Sequence, residues 1–152
     1  VPFSAPDLLP AVFLPFEPPR DIDAATKVTI HMHSPYFSCS KRHRVEDLIA
    51  MLGAMEAVVA MRLHALILAT SGGTPVVGIS YDVKVDSFIK DIGSTACIEL
   101  EQLTVTGLCA EIDKALGDNG RSRASKAAAL LRQREQINIE EALWLINQTE
   151  AR

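Results

Sequence analysis

An arginine and a histidine stand where a predicted strand gives way to a helix. Arg62 and His64 follow an apolar run at 57–60 and open the helix-forming segment 63–70. Backbone amides at a helix N-terminus attract anions, and an imidazole exchanges protons near neutral pH. The pair therefore predicts a site that binds an anion and transfers a proton. On residue types alone, a hydrogen-bonded structural histidine beside a chance arginine is an equally open alternative.

A second polar set follows the next predicted strand along the chain. Tyr81, Asp82 and Lys84 occupy the loop after that strand and the start of the helix that follows. The carboxyl ends of parallel strands share one edge of a sheet, so both sets are expected to face the same crevice. The alternative is structural, with Asp82 capping the helix and Lys84 forming a salt bridge.

Three further groups stand outside this site. His31 and His33 have the spacing of a metal pair on one face of a strand, but no third ligand is evident, and no metal site is predicted. The basic run 41–44 is expected to be a solvated loop or, alternatively, to contact a diphosphate group. The apolar segment 143–146, which contains Trp144, is predicted to pack a terminal helix onto the body, whereas an exposed apolar face would indicate a partner.

The elements that must position these residues alternate between strands and helices. Short apolar or β-branched runs indicate strands, and apolar residues at three- and four-residue steps indicate helices. Strands are predicted at 11–14, 28–32, 57–60, 74–80 and 96–100, and helices at 45–55, 63–70, 84–92, 103–116 and 121–147. Apolar strands that alternate with helices predict an α/β, Rossmann-like fold, in which a parallel sheet carries helices on both faces.

Length, charge and cysteine content exclude several classes of protein. A chain of 152 residues is the size of one domain, and its net charge of −4 provides no overall positive field for a nucleic acid. The longest apolar window, 57–69, is too short to cross a bilayer. Cys39, Cys97 and Cys109 are few and lack CxxC spacing, which predicts a cytoplasmic, reducing environment.

Two sequence blocks in this region resemble a known family. Arg62–Ile67, followed by Thr74–Asp82 and then Lys84 and Val85, is similar to the polysaccharide pyruvyltransferase family, in particular to the bacterial enzymes that attach pyruvate ketals to cell-wall polymers. The similarity is dense over 45–93. One departure is Val83, where the family commonly has a proline, and this changes the stiffness of the loop more than its chemistry.

The resemblance implies a reaction and a role for His64. Members of the family transfer the enolpyruvyl unit of phosphoenolpyruvate to two sugar hydroxyls, which forms a cyclic ketal and releases phosphate. Phosphoenolpyruvate is then the donor substrate, and no other cofactor is expected. Protonation of the donor's methylene carbon requires a general acid, and His64 is the candidate for this acid/base role.

The resemblance also implies contacts with the donor. Arg62 binds the donor or, alternatively, anchors its loop by pairing with a buried carboxylate. Lys84 is the candidate for a phosphate or carboxylate contact, and backbone amides near Leu63 and Asp82 would add donors. Tyr81 and Asp82 are weaker substrate-binding candidates, since each has a structural alternative.

Members of this family are expected to have a GT-B-like architecture of two Rossmann-like halves that face a cleft. Residues 1–152 would then be a single domain, the C-terminal half, which lacks the N-terminal domain and is inactive in isolation. The expected location is cytoplasmic or peripheral at the inner face of the membrane, with a polysaccharide or lipid-linked sugar as acceptor. Two competing functions are a nucleotide-sugar glycosyltransferase domain of the GT-B type and a non-catalytic anion-binding domain.

Overall fold

A computed structural model of the protein describes residues 9–41 and 43–150, with side chains described as far as Gln148. By its internal contacts the chain divides into two compact units, Val1–Arg44 and Val45–Arg152. Both contain parallel strands flanked by helices, which confirms the predicted α/β class. The strands form two separate sheets, of two and three strands.

The first unit contains a small parallel sheet and one helix. Strand β1 (Ala11–Phe13) pairs with β2 (Tyr36–Ser38), and helix α1 (Arg20–Thr29) connects them. The rings of Phe13 and Tyr36 meet edge to face with their centroids 6.2 Å apart. The Asp21 carboxylate accepts hydrogen bonds from the backbone amides of Phe16 and Glu17, which holds the turn that leads into α1.

The predicted strand at 28–32 is wrong. Val28 and Thr29 form the end of α1, and the next strand begins only at Tyr36. Acidic residues in the first turn of α1 and Lys27 in its last turn suit the helix dipole. The hydroxyl of Thr29 donates to the carbonyl of Thr26, so a helix satisfies this β-branched polar residue as well as a strand would. His31 and His33 consequently lie in the connection between α1 and β2, not on a strand.

The second unit is built on three parallel strands in the order β3-β4-β5. The strands are β3 (Val58–Ala60), β4 (Val76–Ser80) and β5 (Cys97–Glu99), and the helices are α2 (Val45–Gly53), α3 (Leu63–Ser71), α4 (Val83–Asp91), α5 (Val105–Leu116) and α6 (Gly120–Glu150). A short 3₁₀ turn, Leu100–Gln102, follows β5. Each of these strands and helices was predicted, with boundaries that differ by only a few residues.

Helices cover both faces of the central strand β4. A Cβ atom on Gly78 would lie 2.9 Å from Cγ1 of Ile89 and 3.1 Å from Cγ1 of Val85, so α4 packs directly against this face. The preceding residue, Val77, points to the opposite face of the sheet and packs with Ala115 of α5. The prediction of helices on both faces is therefore confirmed for this sheet.

Gly78→Ala is expected to destabilise the protein by about 1–3 kcal/mol, the usual cost of overpacking a filled core. The added methyl group would press on Ile89 and Val85, which are both essentially fully buried. Urea denaturation of the variant measures this cost. Val59→Ile is the control, because Val59 is exposed on β3 and can accept an extra methylene group. Equal unfolding midpoints for Gly78→Ala and the wild type would contradict the close packing of α4.

The partly buried thiol of Cys97 lies within this packing. Burial raises the pKa of Cys97, and the nearby carboxylates of Asp86 and Glu111 raise it further. The thiol therefore stays protonated near neutral pH, which makes it a packing group and not a nucleophile. Cys39, Cys97 and Cys109 are all free thiols.

Helix α6 packs against the unit through its N-terminal half. Ala124, Ala127 and Ala128 are buried, and this part of the helix contacts α3 and α5. From Arg132 to Gln148 every residue is exposed, and Trp144 is 61% exposed. The predicted packing of 143–146 onto the body is therefore wrong, because the stripe of small residues that permits close approach ends at Ala128. Among the described residues, no helix combines the length and apolar character needed to cross a membrane.

Candidate functional site

Two consecutive strand-to-helix turns form the candidate site. Strands β3 and β4 are parallel neighbours, with Ala60 opposite Gly78, so their carboxyl ends lie at the same edge of the sheet. Helix α3 begins at residue 63 and helix α4 at residue 83. His64 and Lys84 are therefore each the second residue of the helix that follows. The structure places the predicted acid/base group and the predicted cation at equivalent positions of successive turns.

The first turn presents the start of α3 to solvent. The backbone carbonyl of Arg62 accepts hydrogen bonds from the amides of Ala65 and Leu66, at 3.0 and 3.2 Å. The side chain of Arg62, the residue before the helix, makes no capping hydrogen bond here. Ala65 and Leu66 are buried and anchor the helix, whereas the side chain of His64 is exposed. The amides of Leu63 and His64, which begin the helix and have no acceptor within it, therefore lie beside an exposed imidazole.

The second turn is organised by a carboxylate. Oδ1 of Asp82 accepts a hydrogen bond from the backbone amide of Lys84 at 2.7 Å, which makes Asp82 the N-cap of α4. The Ser80 hydroxyl donates to the backbone carbonyl of Asp82 at 3.1 Å and steadies the same turn. Asp82 thus has the structural role, capping of the helix, that the sequence offered as an alternative. A carboxylate already satisfies this helix N-terminus, so the exposed ammonium group of Lys84 is the group that this turn offers to an anion.

Asp82→Ala is expected to lower the free energy of unfolding by about 1 kcal/mol, because it removes a helix cap. Asp82→Asn is expected to retain most of the stability, since its side-chain oxygen can still accept from the amide of Lys84. Urea denaturation of both variants measures the difference. An alanine variant as stable as the asparagine variant would contradict the capping role.

A cavity of about 350 Å³ opens at the carboxyl ends of β4 and β5. Tyr81 and Asp82 line it, together with Glu99 and Glu101. The other predicted site residues, Arg62, Leu63, His64 and Lys84, are not among its lining residues. The structure therefore brings Tyr81 and Asp82 into one concavity and places the cationic residues and the histidine at the neighbouring helix starts.

Glu99 and Glu101 were not predicted as site residues. Glu99 ends β5 and accepts a hydrogen bond from Nε2 of Gln102 at 2.8 Å. The strand itself was predicted, so the rule applied to the ends of β3 and β4 would have identified both glutamates. With Asp82 they make the wall of the cavity acidic, which suits hydrogen-bond donors such as sugar hydroxyls better than a second anion.

Two further groups singled out in the sequence, the pair His31 and His33 and the basic run 41–44, are not among the residues that form this site. Within 9–41 and 43–150, no group of three or more histidine, cysteine, aspartate or glutamate residues is arranged to hold a metal ion. In the basic run 41–44, Arg42 lies outside the described residues, while Lys41 and Arg44 are exposed. Contact of this run with a diphosphate stays a prediction.

A comparison with family models identifies the family of the chain. The family model "Polysaccharide pyruvyl transferase" matches residues 5–83, just over half of the chain. The chain belongs to the polysaccharide pyruvyl transferase family, which is a family of transferases. The match includes Arg62, His64 and Asp82 and ends one residue before Lys84. The comparison with curated proteins gives no significant match.

Proposed function

We propose that this protein takes part in transferring the enolpyruvyl group of phosphoenolpyruvate to two hydroxyl groups of a cell-wall polysaccharide or of its lipid-linked precursor. The products are a cyclic pyruvate ketal and inorganic phosphate. Membership of the family supports this proposal. The observation that carries it is the repeated turn, which puts an imidazole and an ammonium group at the starts of two successive helices on adjacent strands.

The reaction sets definite chemical requirements. A proton adds to the methylene carbon of phosphoenolpyruvate, and C2 becomes electrophilic. Two sugar hydroxyls then form bonds to C2, the bond from C2 to the phosphate oxygen breaks, and the methylene carbon ends as a methyl group. One hydroxyl proton balances the proton added to carbon, and the other leaves with the phosphate. The enzyme must therefore supply a proton donor, a base and positive charge near the donor's phosphate and carboxylate.

His64 and Lys84 meet these requirements in different ways. His64 is exposed at the start of α3, where it can deliver a proton to a ligand held by the amides of Leu63 and His64. Lys84 supplies a compact positive charge from the start of α4. Arg62, which immediately precedes α3, is the further candidate for the donor's carboxylate or phosphate. In this proposal the donor lies between the two helix starts.

The acidic cavity suits the acceptor. Asp82, Glu99 and Glu101 line a space of about 350 Å³ beside the start of α4. Carboxylates accept hydrogen bonds from sugar hydroxyls, and a carboxylate there can also take a proton from an attacking hydroxyl. This arrangement would keep the anionic donor and the hydroxyl-rich acceptor apart until the reacting atoms meet. The cytoplasmic location and a GT-B-like partner domain stay predictions.

To test this proposal, the protein is incubated with phosphoenolpyruvate and a polysaccharide acceptor. Released phosphate is then measured, and the polymer is analysed by NMR. The expected result is acceptor-dependent phosphate release in step with a new ketal methyl signal. Incubation with a nucleotide sugar and the same acceptor is the comparison. Glycosyl transfer from the nucleotide sugar, without phosphate release from phosphoenolpyruvate, would contradict the proposal and favour the glycosyltransferase alternative.

A further inference from the structure

A second cavity lies at the amino-terminal edge of the three-stranded sheet, away from the candidate site. Its volume is about 640 Å³. Its walls include the residues that lead into β4 and β5, such as Thr74 and Ser94, together with the end of α3 and the start of α6. A space of this size accommodates a small polar metabolite.

The charged side chains of this wall are all cationic. Lys114, Arg123 and Lys126 line the cavity, and its described lining contains no carboxylate. Lys114 pairs with Glu111, and the guanidinium of Arg123 donates to the backbone carbonyls of Lys114 and Asp118. Lys126 is exposed and makes no hydrogen bond or ion pair within the described part of the chain. The cavity therefore has an excess of positive charge, with Lys126 as the most available group.

Backbone groups add to this preference for an anion. Gly120 lines the cavity and begins α6, a helix of 31 residues, so the positive end of the helix dipole lies at the wall. The amides of Gly120 and Arg123 themselves donate to the carbonyls of Gly117 and Asn119, at 2.7 and 2.8 Å. The carbonyl groups at the C-terminal ends of α3 and α4 would repel an anion, but hydrogen bonds within the chain occupy two of them. The amide of Thr74 donates to the carbonyl of Ala69, and the amide of Ser94 donates to the carbonyl of Ile89, both at 3.0 Å.

A buried hydroxyl group provides an independent observation. Thr70 lines the cavity and is 1% exposed, yet its Oγ1 atom has no hydrogen-bond partner among the residues that the structure describes. The hydroxyl of Thr74, which also lines the cavity, donates to the carbonyl of Leu52 at 2.8 Å. A buried hydroxyl without a partner destabilises a fold, so its presence beside a cationic cavity is explained if a ligand supplies the missing hydrogen bond.

We propose that this cavity binds the phosphate group of a small phosphorylated metabolite. The phosphate would lie against Lys126 and the first turn of α6, and the Thr70 hydroxyl would face the polar remainder of the ligand. The site is at the opposite edge of the sheet from His64 and Lys84, so it is separate from the donor site proposed above and does not compete for phosphoenolpyruvate.

The test is an NMR titration of the ¹⁵N-labelled 152-residue chain with inorganic phosphate and, separately, with glucose 1-phosphate. Saturable shifts are expected for the amides of 94–96 and 120–123. Lys126→Ala is expected to weaken both ligands at least about fivefold, because it removes a charge-assisted contact. Arg132→Ala, on the same helix but outside the cavity lining, is the matched control and is expected to leave the affinity unchanged. Equal weakening by both variants, or no saturable shift at these amides, would overturn the proposal.

Substitutions at Thr70 distinguish an effect on ligand affinity from an effect on folding stability. Thr70→Val is expected to weaken glucose 1-phosphate binding without lowering the unfolding midpoint, because the hydroxyl contributes no hydrogen bond to the fold. Thr70→Ser, which keeps the hydroxyl, is expected to bind like the wild type. Equal affinities for the valine and serine variants would overturn the assignment of this hydroxyl. Lys84→Ala is expected to leave the shifts at 94–96 and 120–123 unchanged, so failure at the donor site and failure here are distinguishable.

Discussion

His64→Ala is expected to lower the rate of phosphate release from phosphoenolpyruvate by about 10²–10⁴-fold, the usual contribution of a positioned general acid. Protonation of the methylene carbon is the step that makes C2 electrophilic, and water is a poor substitute for an imidazole held at the start of α3. The side chain is exposed, and alanine is a better helix former than histidine, so the variant should fold. Steady-state assays of the encoded protein with a saturating acceptor measure this effect.

The division between kcat and KM identifies the role of His64. A group that acts only in the transition state lowers kcat and changes the affinity for phosphoenolpyruvate little. His31→Ala is the control, since His31 is also exposed but lies in the first unit between α1 and β2. If the turnover of His64→Ala were within about twofold of that of the control, His64 would have no part in the chemical step.

Lys84→Ala is expected to weaken the binding of phosphoenolpyruvate by about 10–100-fold, which corresponds to the loss of one charge-assisted hydrogen bond to the donor. The substitution leaves the helix cap in place, because Asp82 accepts from the backbone amide of residue 84 and not from its side chain. The loss should therefore appear in affinity and not in stability. Isothermal titration calorimetry with phosphoenolpyruvate, together with urea denaturation, measures the two quantities.

Lys90→Ala is the matched control for Lys84→Ala. Lys90 lies on the same helix and forms an exposed ion pair with Asp86, with the two atoms 2.6 Å apart. Exposed pairs of this kind contribute at most about 1 kcal/mol to stability, so this variant should fold and bind the donor like the wild type. Equal affinities of the two alanine variants would mean that Lys84 has no specific contact with the donor.

The second unit follows the predictions from sequence closely because its local signals agree. Apolar runs such as Val76–Ser80 are buried on both sides, and the glycines at 93 and 73 end helices with positive φ angles, as glycine does readily. Residue pattern and backbone preference point to the same structure in these segments. The positions of His64 and Lys84 at helix starts follow directly from those boundaries.

The errors come from places where residue type and environment disagree. The β-branched residues near 28 suggest a strand, but the charges flanking them favour a helix that ends there. Trp144 and its neighbours are apolar, yet they are exposed. Whether such residues are buried depends on how far the surrounding elements extend, which the residue pattern does not show. Likewise, the acidic wall formed by Glu99 and Glu101 depends on how far β5 runs beside β4, and the cationic cavity at the opposite edge depends on where α6 begins.

The most direct test of the proposed donor site is a crystal structure of the encoded protein with bound phosphoenolpyruvate. The expected result is a donor phosphate or carboxylate within hydrogen-bond distance of Nζ of Lys84 and of the first-turn amides of α3, with the imidazole of His64 facing the methylene carbon. Phosphoenolpyruvate bound elsewhere in the protein, with the starts of α3 and α4 in contact only with solvent, would contradict the proposal.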